Sequence, residues 1–158
     1  MIKAIAFALA LVVAEATAGT PPAPAGGIAI KDSLVPEFSG QYVKAFARRD
    51  GDERTVIAFV RDCPQLTCAP GPWEPEQVAH TCPKAYIAKL VIGGSSPDHY
   101  TADIKIAGPA ANVSTATIEQ VDAKLTRVDN SAVTGSLSVH NSDADVSGSF
   151  TAEVCPRT

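Results

Sequence analysis

The chain has 158 residues, a formal charge of −4, 6% aromatic residues, four cysteines and one tryptophan. Its charges are spread out with no basic block to neutralise phosphates, which excludes nucleic acid as the expected partner. Few aromatic rings are available for stacking on sugars, and the length suits one domain that buries its own core.

The N-terminus reads Lys3 within an apolar run ending near Val13, then Ala16-Thr17-Ala18. A basic start, about a dozen apolar residues and a small-x-small site form the pattern of a secretory signal peptide, and the run is shorter than the ~20 residues a bilayer requires. The reading is a signal peptide over residues 1–18, cleaved after Ala18, and export to the periplasm or medium without membrane insertion. Residues 19–27 follow as a Pro/Gly-rich flexible segment (TPPAPAGG from Thr20), which cannot join a helix or central strand. Residues 28–158 are left as a single domain.

From there the dominant period is two, the period of strands. Residues 41–49 (QYVKAFARR) and 54–62 (RTVIAFVRD) flank Asp50-Gly51-Asp52-Glu53, where glycine accepts the positive φ of a tight hairpin. Residues 84–92 and 99–107 flank the Gly-Gly-Ser-Ser-Pro-Asp loop 93–98 as a second hairpin. Tyr100, Ala102, Ile104 and Ile106 share one face of the later strand, and Thr101, Asp103 and Lys105 the other. Residues 115–128, 133–139 and 146–154 continue as strands joined by Asp129-Asn130-Ser131 and by His140 to Asp145. Gly135 and Gly148 interrupt them, each marking a bulge or a close backbone approach. Only Trp73 to His80 (WEPEQVAH) has helical character, with proline and acids in a first turn, so under about a sixth of the residues should be helical. About seven to eight strands and no long helix predict an all-β antiparallel sandwich, immunoglobulin-like or similar, with a closed β-barrel as the alternative.

Cys63, Cys68, Cys82 and Cys155 allow three pairings. A metal site is disfavoured because Cys63-x4-Cys68 is loose for a zinc knuckle and no CxxC answers it. Export favours two disulfides. The preferred pairing is Cys63–Cys82 with Cys68–Cys155, closing the proline-rich segment and tying the last strand to the body. Cys63–Cys68 with Cys82–Cys155 is the alternative.

No cofactor or metal is expected. His80, His99 and His140 lack the H-x-H spacing of strand-borne metal sites. Asn141-x-Asp143-x-Asp145 copies the start of a calcium loop, but Val146 and Ala152 stand where that loop needs glycine and a bidentate acid. There is no G-x-S-x-G elbow, and Asp98 and His99 are strand neighbours that point to opposite faces, so the reading leans away from an enzyme. Asn112-Val113-Ser114 is a glycosylation sequon that matters only in a eukaryotic host.

The segment 63–82 concentrates four prolines, two cysteines and Trp73. A pinned, stiffened loop loses little entropy on binding, and tryptophan is enriched in binding hot spots. Trp73, Glu74 and Gln77 are therefore the candidate binding residues; the competing role for Trp73 is to cap an open end of the core. The expectation is an exported, soluble, non-catalytic domain that recognises another protein through these loops, for instance a periplasmic inhibitor or immunity-type protein. A small secreted hydrolase or a cell-surface structural subunit are the alternatives.

Overall fold

The computed structural model describes residues 26–50, 54–69, 73–93, 99–109 and 115–156. The expected signal peptide, most of the N-terminal spacer, the loop residues 94–98 and the sequon at Asn112 lie outside the described residues. Strand accounts for 64% and helix for 9% of the described residues.

Among the described residues the strands are β1 (Ile28–Asp32), β2 (Gly40–Tyr42), β3 (Lys44–Asp50), β4 (Arg54–Arg61), β5 (Tyr86–Gly93), β6 (His99–Ala107), β7 (Thr115–Val128), β8 (Ala132–His140) and β9 (Ala144–Val154), with one α-helix, α1 (Pro75–Thr81). They form a single sheet in the order β2-β1-β9-β3-β4-β5-β6-β7-β8, and β9 also pairs with β8. The expected sandwich is therefore corrected to a closed seven-stranded barrel, β3 to β9, with β1 and β2 as an extension.

Closure depends on β9. From Asp145 to Glu153 it pairs antiparallel with β8 on one side. On the other side its first half pairs with β1, from Ala144 to Gly148, while Glu153 and Val154 pair in parallel with Phe46 and Ala47 of β3. The amide of Cys155 then donates to the Ala47 carbonyl at 2.8 Å. Gly148 permits the β1 contact: its φ is +146°, and a Cβ there would lie 2.6 Å from the Gly27 carbonyl oxygen. Curvature is supplied by register breaks between Ala102 and Ile104 and between Leu125 and Arg127. At the first break Gln120 takes a left-handed φ of 57°, and the Asp103 carboxylate accepts its amide at 3.2 Å.

The alternating apolar residues point inward and fill the barrel. Ile57 and Phe59 of β4, Ala88 and Leu90 of β5, Ile104 and Ile106 of β6, Val121 and Ala123 of β7, and Phe150 and Ala152 of β9 are all buried in one cluster. Phe59 and Phe150 meet edge to face at 5.1 Å. Such a barrel is narrow enough for side chains to occupy its interior.

β4 is buried on both faces, from Val56 to Val60. Its outward residues Ala58 and Val60, with Phe46, Ala85 and Ile87, form a second core with Leu66, Val78 and Cys82 of the segment 63–82. Each large apolar side chain buried there contributes ~1.5–3 kcal/mol. Two disulfides hold this layer: Cys63–Cys82, with Cα atoms 5.6 Å apart, and Cys68–Cys155, at 5.2 Å. No described cysteine is free.

Where β4 ends, Arg61 lies 3.8 Å from the Tyr86 ring and 5.5 Å from the Tyr42 ring. It donates to the carbonyls of Ser39 and Glu37. This fastens the short 3-10 turn Pro36–Phe38 to the barrel. Tyr42 donates to the Phe38 carbonyl at 3.0 Å. Burial pushes its phenol pKa up, while the Arg61 guanidinium pulls the other way.

Candidate functional site

The segment 63–82 lies against the outer face of β3, β4 and β5 rather than at an end of the barrel. Its backbone is fixed at several points besides the disulfides. Lys44 Nζ donates to the Leu66 carbonyl at 2.6 Å, Gln65 Nε2 to the Thr81 carbonyl at 3.3 Å, and Lys89 Nζ to the Trp73 carbonyl at 2.8 Å. Pro75 opens α1 and Glu76 sits in its first turn, where a missing N–H and a negative charge both suit the helix start.

Trp73 is half-buried against the second core. Its ring lies 4.8 Å from the Arg48 guanidinium, a cation–π contact. The alternative expected for Trp73, a cap on an open end of the core, is corrected in position: the ring packs on the barrel's outer wall. There it forms one side of a groove of about 430 Å³ lined by Arg48, Arg54, Val56, Glu74, Lys89, Val91, Asp103 and Lys105 together with Trp73. Val56 and Val91, directly paired across β4 and β5, form the apolar floor.

Strand alternation places the charged residues. Arg48, Arg54, Lys89 and Lys105 occupy outward positions on four consecutive strands, whose inward neighbours are core residues. Arg48 Nε lies 2.9 Å from Asp50 Oδ1 without hydrogen-bond alignment, and Arg48 Nη2 donates to Asp50 Oδ2 at 3.2 Å. Lys89 is 3.4 Å from the Glu74 carboxylate.

Of the three binding residues expected from sequence, Trp73 and Glu74 line this groove. Gln77 is exposed on α1 and is not among the lining residues. The four cations come together only through strand register. Period-two alternation puts each of them outside, but pairing alone brings them side by side.

The remaining candidates are separate. His80 is exposed on α1, and His140 Nδ1 lies 3.3 Å from Asp145 Oδ2 at the β8–β9 turn. Among the described residues no three His, Cys, Asp or Glu side chains converge as metal ligands. The Asn141 oxygen instead accepts the amides of Asp143 and Ala144, at 2.9 and 2.8 Å, and so builds the turn. A second groove, between β7 and the β8–β9 turn, includes Asp32, Leu34, Glu119 and Asp143. Asp32 there accepts the amides of Leu34 and Val35.

Compared with protein-family models, curated proteins and solved structures, the chain matches none.

Proposed function

We propose that this is an exported, non-catalytic binding domain that recognises another protein through the groove beside Trp73. The observation that carries this reading is the Trp73–Arg48 stack at the edge of a groove built on a doubly disulfide-braced layer. Binding energy concentrates where aromatic and arginine side chains sit on a rigid support, because little conformational entropy is lost on contact. The filled barrel serves as scaffold, and its outer face is the contact surface. The two disulfides suit an oxidising compartment, in line with export.

The test is affinity capture from the native exported fraction with the full mature chain, quantified by mass spectrometry, beside Trp73→Ala. A partner retained by the wild type and weakened tenfold or more by Trp73→Ala, per folded molecule, supports the reading. Capture that is insensitive to the substitution overturns it.

A further inference from the structure

The chain has a formal charge of −4, yet Arg48, Arg54, Lys89 and Lys105 all line one groove. Lys89 and Lys105 are directly opposite each other across β5 and β6, a placement of like charges that destabilises a sheet. Lys89 is engaged by the Trp73 carbonyl and Glu74, and Arg48 by Asp50 and the Trp73 ring, with its Nε left without a hydrogen bond. Among the described residues the side chains of Arg54 and Lys105 have no ion-pair or hydrogen-bond partner, and both are exposed. The acids of the groove are already engaged: Glu74 with Lys89, and Asp103 with the Gln120 amide.

From this we infer that the groove recognises an acidic, extended segment of a partner protein, with one carboxylate bound at Arg54 and another at Lys105. The inference rests on the binding reading above and specifies its ligand. Arg54 is opposite Gly93 and Lys105 opposite Lys89, so the two cations are separated by two strand spacings across the sheet and four residues along it. That diagonal is roughly 16 Å, the reach of about five extended residues. An acidic segment with carboxylates about five residues apart spans it, and its middle crosses Val56 and Val91 beside Trp73. The guanidinium of Arg54 suits bidentate pairing with one carboxylate, and the Lys105 ammonium suits a point contact with the other.

The probe is a capped hexaglutamate peptide, with capped hexalysine as comparator, titrated into the mature protein at low and moderate salt and followed by Trp73 fluorescence and calorimetry. The expected result is saturable binding of hexaglutamate alone, weakened by salt. Arg54→Gln/Lys105→Gln should weaken it at least tenfold with only a small change in melting temperature, because relief of the Lys89–Lys105 like-charge pair offsets the loss of Arg54 opposite Asp50. Lys31→Gln/Lys124→Gln, an equal loss of charge at exposed sites outside the groove, should change it less than twofold. Absence of hexaglutamate binding, or equal effects of the two double variants, overturns the inference. A chain that captures a partner through Trp73 but ignores hexaglutamate refutes the charge assignment alone. Hexaglutamate binding without Trp73-dependent capture refutes the protein-partner reading.

Discussion

Arg48 of β3 and Trp73 of the segment 63–82, 25 positions apart in the chain, stack with the guanidinium 4.8 Å from the ring centroid. The contact joins the barrel wall to the layer that covers it, so Trp73 contributes to stability. Its half-buried ring removes less apolar surface from water than a core tryptophan, whose truncation costs ~3–5 kcal/mol. Trp73→Ala should therefore destabilise by about 2 kcal/mol, and Arg48→Gln by about 0.5–1 kcal/mol. Urea denaturation of both variants checks this. An unchanged midpoint for Trp73→Ala would mean that the ring contributes nothing to the second core.

The two disulfides close loops of very different size, with sequence separations of 19 for Cys63–Cys82 and 87 for Cys68–Cys155. Chain-entropy arguments assign ~3 kcal/mol to the shorter loop and ~4.5 kcal/mol to the longer. Replacing Cys68 and Cys155 together by serine should thus lower stability more than replacing Cys63 and Cys82. The longer bridge also ties the end of β9 to the covering layer, beside the strand pair that closes the barrel. Paired denaturation curves test the ranking, and the reverse order would show that native packing of the cysteines outweighs loop closure.

Asp129 organises the β7–β8 turn. Its carboxylate accepts the Ser131 hydroxyl and amide, the Ala132 amide and the Arg127 guanidinium. These bonds, the Ser131 hydroxyl foremost, hold its pKa well below the usual carboxylate range. A depressed folded value means that folding favours the charged form. The stabilisation is complete above the ~3.9 of an unfolded aspartate and is lost as pH falls below it toward the folded value. Melting temperatures measured from pH 6 down to pH 2 should therefore show a shallower acid decline for Asp129→Asn than for the wild type. Parallel curves would place the acid sensitivity in other carboxylates.

Much of the fold was legible because it is locally encoded. The alternation in residues 99–107 and 115–128 coincides with β6 and β7, since period two and side-chain polarity are properties of the strand itself. The helical start at Trp73-Glu74-Pro75 is likewise written in local chemistry and appears as α1. β1 was missed as a strand: its five residues, Ile28 to Asp32, follow a glycine-rich segment and are stabilised mainly by pairing with β9, over a hundred positions away. The division of residues 41–49 into β2 and β3 at Val43 was missed for a similar reason, because β2 pairs with β1 and β3 with β4.

Two kinds of information thus separate. Residue order by itself determined that the chain is all-β, which faces of its strands are apolar, and that Trp73 and Glu74 lie in a cysteine- and proline-braced segment. Only the tertiary structure decided between sandwich and barrel, since both demand the same alternation and differ only in whether β9 reaches β3. It also decided that Lys89 stands opposite Lys105 and that Arg48, Arg54 and Trp73 share one groove. Side-chain alternation is a short-range consequence of backbone geometry, whereas register and closure are set by hydrogen bonds between distant segments, which no local pattern encodes.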